Sequence, residues 1–437
     1  MKIGIDCRMY SSAFTGIGRY VHELTDRLFE IDRENEYVLF FNEPEFEKFQ
    51  PKSPRVKKVL VNARHYSMAE QWKFLRILNR EKLDMMHFTH FNAPILYRRP
   101  FVVTIHDLTL SFYPGKKMNS PAYRIAYQLT LGHAVKKAEK VIAVSRNTSK
   151  DLQKLFKVPA EKIAVIYEGV GSNFKRVEES AAQTQKIKAK YHLDKPYLLY
   201  TGVWRSHKNL TNLLEAFYIL KNEYGFDGYL VITGRQDPLY APEIVDKAMS
   251  LQLEPDVIFT GLVADEDLIP LYNGALMYVF PSLYEGFGLP PLEAMACGIP
   301  VAASNTSCIP EICGEGNAIF FNPMNVRNMA EKIFEVISRK SLREELIRRG
   351  LERVKFFSWD KMAQETLKIY KQDGFFYSYF SVQTRLLAPA SRAALSSRPR
   401  SACGSHARSA SRLSAQKNRS KKSSIINLKC LIHYRIS

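Results

Sequence analysis

The stretch Pro281-Ser282-Leu283-Tyr284-Glu285-Gly286-Phe287-Gly288-Leu289-Pro290-Pro291-Leu292-Glu293-Ala294-Met295-Ala296-Cys297-Gly298 starts where an apolar run ends and leads into a helical pattern. Pro290 or Pro291 suits the first helical position. The Gly286-Phe287-Gly288 turn before it lets main-chain amides, continued at Leu289, come close to a ligand. Unpaired amides at such a helix start favour an anion. Glu285 is expected on the loop and Glu293 in the first helical turn, so one carboxylate serves a ligand's reacting end and the other its opposite end. There a carboxylate can accept from two neighbouring hydroxyls. A plainer reading leaves Glu293 to complement the helix dipole and the glycines to form the turn.

The same strand-to-helix passage recurs along the chain. Tyr200-Thr201-Gly202-Val203-Trp204-Arg205-Ser206-His207-Lys208 puts Arg205 and Lys208 three residues apart at a strand end, where a planar fork and a point charge could converge on a diphosphate. His106-Asp107 ends the strand Phe101–Ile105, and Thr15-Gly16-Ile17-Gly18-Arg19-Tyr20 follows the first strand. That glycine segment lacks the third glycine of a dinucleotide fingerprint and has no ribose-binding acid at the expected distance, which argues against NAD. Asp265-Glu266-Asp267 reads as the cap of a helix over 268–272 rather than as a metal-binding pair, and no metal is expected.

Short apolar runs alternate with amphipathic segments in two series. Strands are expected at 2–7, 37–41, 56–61, 85–88, 101–106, 140–145 and 163–167, then at 197–202, 229–234, 257–261, 275–281, 300–304 and 318–322. Helices include 18–30, 123–138, 210–224 and 329–349, and the polar stretch 176–194 reads as a solvated helix with a hinge. The expected fold is α/β: two doubly wound domains, residues 1–180 and 193–355, facing each other across a cleft.

With 437 residues, 46% of them hydrophobic and 24% charged, the chain can fill two cores and is not globally disordered. Residues 376–437 hold 12 of the 63 Lys and Arg and none of the 44 Asp and Glu, so the rest of the chain is only mildly basic. That Ser/Arg/Ala-rich tail is expected to be disordered, and is either functional or a read-through end. Cys7, Cys297, Cys308 and Cys313 show no metal-binding spacing, and neither a signal peptide nor a membrane-spanning run is read, so a reducing cytoplasm is expected.

The segment from Glu285 to Glu293 resembles that of the retaining GT-B glycosyltransferases of family 4, the group 1 glycosyltransferases, and is mannosyltransferase-like. Gly202 to Asn209 is similar to the family's phosphate-binding loop, Thr104-Ile105-His106-Asp107 to its active-site histidine segment, and Gly16-Ile17-Gly18-Arg19-Tyr20 to its N-terminal glycine loop. Phe357-Ser358-Trp359 and the helix after it resemble the closing helix, here 358–374, that returns to the first domain. The resemblance spans roughly residues 1–374. It implies an acceptor-binding first domain and a second domain holding a nucleotide-sugar donor. The diphosphate would meet Arg205 and Lys208, and the ribose Glu293. The transferred sugar would meet the catalytic pair Glu285 and His106 with the amides of Phe287 to Leu289, and the base would lie near Leu262 and Val263. No metal or other cofactor is implied.

A hexose, mannose from GDP-mannose first, moved to a glycan or lipid-linked acceptor in surface polysaccharide synthesis is the leading expectation. The alternatives are a UDP-glucose or UDP-GlcNAc enzyme, an epimerase or phosphorylase on the same architecture, or an inactive core with a nucleic-acid-binding tail. No specific nucleic acid is expected. Lys116, Lys117, Arg124, Lys136, Lys137 and Lys140 around the apolar 123–134 segment suggest peripheral docking on an anionic membrane at its inner face. Glu168, in Tyr167-Glu168-Gly169-Val170, stands where the family commonly has Asn.

Overall fold

Each strand series forms one all-parallel sheet in the computed structural model, which describes residues 1–11, 15–51, 53–116, 120–177 and 182–372. The first series is β1 (Lys2–Asp6), β2 (Glu36–Phe41), β3 (Val56–Leu60), β4 (Met85–Phe88), β5 (Phe101–Ile105), β6 (Lys140–Ala143) and β7 (Ile163–Val165). Their order across the sheet is β3-β2-β1-β4-β5-β6-β7. The second is β8 (Tyr197–Thr201), β9 (Tyr229–Thr233), β10 (Val257–Gly261), β11 (Met277–Phe280), β12 (Val301–Ser304) and β13 (Ile319–Phe321), in the order β10-β9-β8-β11-β12-β13. β5, β8 and β11 are buried at every residue, because helices cover both faces of a parallel sheet. This is why they read as unbroken apolar runs. The strand order reverses between β1 and β4 and again between β8 and β11. Crevices at such reversals, beyond the carboxyl ends of the strands, are where these sheets take ligands.

The helix Thr15–Ile31 buries Tyr20, Val21, Leu24 and Leu28, one apolar face at helical spacing. Against it packs the helix Trp359–Tyr370, which starts at Ser358, whose side chain accepts from the Lys361 N–H. It buries Trp359, Met362, Ala363, Thr366, Ile369 and Tyr370. The Tyr370 hydroxyl lies 2.5 Å from His87 Nδ1, and His87 Nε2 lies 2.8 Å from Thr104 Oγ1. Burial lowers the His87 pKa to about 3, so this link is neutral at physiological pH.

Local departures have local causes. The expected helix 329–349 is two helices, Val326–Ser338 and Lys340–Val354, parted at Arg339, whose backbone is extended (φ −112°, ψ 96°). The 176–194 stretch contains the helix Ala182–Lys190, which buries Thr184 and Ile187 and packs on the helix Asp265–Asn273 instead of standing in solvent. That second helix includes Asp265 and Asp267 in its first turn and begins at Ala264 without a side-chain cap. Gly16 and Gly18 lie inside the Thr15–Ile31 helix, not in a loop before it. The four cysteines of the described residues are buried free thiols, and no described helix is long and apolar enough to cross a membrane. The 376–437 tail and the last two residues of the 358–374 segment lie outside the described residues.

Candidate active site

Two loops from the second sheet are stitched together at its reversal. Asn209, in the left-handed region at φ 59°, donates from Nδ2 to the carbonyls of Pro281 (3.2 Å) and Pro323 (2.8 Å). The Leu283 N–H donates to the His207 carbonyl at 2.7 Å. His207 is buried, and burial, reinforced by the Lys208 and Arg205 charges, lowers its pKa to about 2. It therefore stays neutral, leaving Arg205 and Lys208 as the cations of this loop.

Lys208 reaches over the Phe280 ring (5.8 Å) to Glu285, Nζ to Oε1 2.5 Å, with both side chains largely buried. The Glu285 N–H donates to Ser307 Oγ at 3.2 Å, and that hydroxyl donates to the Glu285 carbonyl at 2.6 Å, so the loop carrying the carboxylate is fixed at its main chain. Gly288 stands at φ 99°, where any other residue would be strained, and opens the helix Leu289–Ala296 with Pro290 in its first turn. Arg205 does not converge with Lys208. It is half exposed and its nearest carboxylate is Asp237, at 3.9 Å.

Glu293 lies one residue past the first turn and is buried, so dipole complementation is not its role. Its Oε2 accepts from the Tyr272 hydroxyl at 3.1 Å, and its Oε1 is 2.6 Å from Arg19 Nη1, which comes from the other domain. Leu262 and Val263 follow β10 on the same sheet edge. Leu262 is 79% exposed and Val263 is buried.

From the first domain, His106 ends β5 with both ring nitrogens engaged. Nδ1 is 3.0 Å from Glu168 Oε1 and Nε2 is 3.0 Å from the Thr89 carbonyl, while the Tyr20 ring stands edge-on at 4.7 Å. Because a carbonyl only accepts, the Nε2 contact is made by an N–H donor. What His106 offers the opposite domain is its main chain. A Cβ added at Gly286 would sit 1.7 Å from the His106 carbonyl oxygen, and Thr148 Oγ1 donates to the Gly286 carbonyl at 3.3 Å. Nearby, Glu311 of the second domain accepts from the Arg146 and Asn147 N–H groups (2.7 and 3.0 Å), which start the helix Arg146–Phe156 of the first. Gly18 is tight for a different reason: its Cβ would be 2.0 Å from the Ser11 carbonyl, whereas Gly16 meets nothing within 4 Å.

The structure thus brings together Lys208, Glu285, Gly286, Phe287, Gly288, Leu289 and Glu293 at one reversal, with Gly16 and Gly18 in the helix after β1 and His106 at the end of β5. Sequence reasoning gave no role to Arg19. Its only signal was a cation inside a glycine-rich helix start, since its partner lies 274 residues away. Among the described residues no three His, Cys, Asp or Glu side chains cluster in a way that could hold a metal ion.

Two facing α/β domains bring cations and carboxylates together around a helix start, an arrangement able to take an anionic, hydroxyl-rich ligand. The group 1 glycosyl transferase family matches residues 182–353, and glycosyltransferase family 4 matches residues 14–173. The chain is 30% identical to the O-antigen chain mannosyltransferase B of Escherichia coli over 392 residues, covering 85% of this chain and all of that protein. Its fold matches sucrose-phosphate synthase from Thermosynechococcus elongatus with a TM-score of 0.71 at 20% identity, over 85% of this chain and 98% of that one. It also matches Anabaena HepE, solved in complex with UDP-glucose, at a TM-score of 0.67 and 18% identity, over 85% and 99%. The chain belongs to the group 1, family 4 glycosyltransferases and has the GT-B fold; it is a hexosyltransferase.

Proposed function

We propose that the chain transfers mannose from GDP-mannose, with retention of configuration, to a growing surface glycan or a lipid-linked acceptor. The observation that carries the reading is the grouping of Lys208, Glu285 and Glu293 around the start of the Leu289–Ala296 helix. It supplies a cation for phosphate, a carboxylate for the transferred sugar and another for ribose. The mannosyltransferase relative favours mannose; the UDP-glucose complex of HepE favours a second reading, a UDP-hexose donor. Charge growing on the departing diphosphate is met by Lys208 and the helix-start amides, preorganised where water is largely excluded, and by the half-exposed Arg205 once it leaves Asp237, so the reaction needs no metal. The test is mass-spectrometric detection of transfer to membrane extracts from GDP-mannose, UDP-glucose and UDP-GlcNAc, with EDTA present. One added hexose from GDP-mannose is expected. Transfer from a UDP-sugar alone would replace the donor assignment, and loss with EDTA that Mg²⁺ restores would overturn the metal-free step.

A lipid-linked acceptor requires the enzyme at a surface, and we propose that the helix Pro121–Lys137 provides the docking face. Tyr123, Ile125 and Leu129 are more than half exposed on it, and Lys136 and Lys137 close its last turn. Two expected contributors are not available. Lys116 is taken by the Leu239 carbonyl (2.9 Å) and Glu243 (3.6 Å), and Lys140 by the Glu161 carbonyl (2.7 Å). Lys117 lies outside the described residues. Lys136 and Lys137 near an anionic leaflet contribute about 1 kcal/mol each. A chain ending at Gln372 is expected to co-sediment with anionic vesicles at low salt and to come off as salt rises through about 0.5 M. Equal binding to neutral vesicles, or none at low salt, would sink this docking and favour a soluble acceptor.

A further inference from the structure

Three cations of the candidate site each have a carboxylate beside them: Lys208 has Glu285 at 2.5 Å, Arg19 has Glu293 at 2.6 Å, and Arg205 has Asp237 at 3.9 Å. A nucleoside diphosphate sugar brings the complementary set, anionic phosphates and neutral hydroxyls. Its arrival can split these pairs, cations going to phosphate and carboxylates to hydroxyls, without leaving a charge unmatched. For Lys208 and Glu285 this restates the roles already proposed. For Arg19 it yields a new one.

Ribose hydroxyls need the Glu293 oxygens as acceptors. Oε2 already accepts from Tyr272, which is fully buried and itself bonded to Thr201 Oγ1 at 2.8 Å, so that side is fixed. Arg19 is on the other oxygen, Oε1. A ribose hydroxyl donating to Oε1 competes with Arg19 there, and a displaced guanidinium, two-thirds buried, is best met by another anion. The first turn of the Thr15–Ile31 helix contains no acidic residue to receive it, and a cation near a helix start opposes the dipole there. Both facts make an incoming phosphate the favoured partner. The guanidinium lies over the Phe174 ring at 5.2 Å, and a planar fork suits two phosphate oxygens.

We propose that Arg19 is a ligand of the donor's diphosphate, held on Glu293 until the ribose displaces it. The first domain then contributes a charged contact to a donor otherwise held by the second, and donor binding couples the two domains. The inference rests on Glu293 being the ribose ligand.

The test compares guanosine with GDP on the full chain, and uridine with UDP if the donor proves to be a UDP-sugar, by NMR titration, which reads millimolar affinities. Arg19→Ala is expected to weaken GDP at least about 10-fold, the usual weight of a charge-assisted bond. It should leave guanosine affinity equal or several-fold higher, because the competitor for Glu293 is gone. Arg19→Lys, which keeps the charge and loses the fork, should fall between wild type and Arg19→Ala for GDP. An unchanged GDP affinity, or GDP and guanosine weakened by the same factor, would overturn the proposal. Glu293→Gln separates this from its premise: it should weaken guanosine and GDP alike, and no effect on guanosine would mean that Glu293 does not hold ribose. If Arg19→Ala fails to fold, the Arg19→Lys comparison decides alone, since unchanged GDP binding in it rejects the fork contact.

Discussion

Replacing Lys208 by alanine is expected to slow turnover at least about 100-fold, a transition-state loss of about 2.7 kcal/mol. The ammonium is largely buried against Glu285 and the Phe280 ring, so a contact from it to a departing phosphate is made where water does not screen it. The substitution also strands Glu285 as a largely buried, unmatched carboxylate, which works against an anionic donor. Single-turnover kinetics with saturating donor separate the two effects, because the first lowers the chemical rate and the second lowers affinity. A chemical rate within a factor of about three of wild type, less than 1 kcal/mol, would remove Lys208 from the reaction.

Gly286→Ala is the second large effect. The position needs no positive φ, so the loop itself tolerates alanine. The obstacle is the other domain. The new Cβ would stand 1.7 Å from the His106 carbonyl oxygen, 2.7 Å from its carbon and 2.8 Å from Asp107 Cβ, main chain against main chain with no flexible side chain to move aside. The domains must part by an ångström or more, and a displacement of that size at reacting groups costs about 100-fold. We expect kcat/KM to fall on that order and the Arg19 contact to the donor to weaken with it, because both need the domains at their present distance. Small-angle scattering should show a larger radius of gyration than wild type. Normal kcat/KM would mean that the observed approach of Gly286 to His106 is not the working geometry.

The two sheets and their strand boundaries were readable because buried parallel strands leave continuous apolar runs, and the glycine and proline pattern at 286–291 marked the strand-to-helix passage. The break at Arg339 was not, since amphipathic periodicity persists on both sides of it and a single extended residue leaves no compositional mark. Glu293 was picked out by type and spacing, but its Arg19 partner was invisible because nothing local ties a carboxylate to a guanidinium 274 residues away. His106 shows the same limit. Its place at a strand end was legible, whereas the engagement of both its nitrogens depends on Thr89 and Glu168, brought in from β4 and beyond β7. The basic face near residue 120 was overcounted because a lysine looks equally free in sequence whether it meets only solvent or, as for Lys116, is paired with the neighbouring domain.

The helix Trp359–Tyr370 also governs the order in which this protein can be made. It supplies the first domain with six buried side chains and the hydroxyl that meets His87, yet it is synthesised after the whole second domain. A first domain leaving the ribosome therefore waits with one face of the Thr15–Ile31 helix uncovered while nearly two hundred further residues emerge, in line with the sticky intermediates of multidomain chains. Translation stopped before Trp359 would leave two sheets fully encoded and the earlier domain unfinished. The domain that begins the chain is the last to be completed.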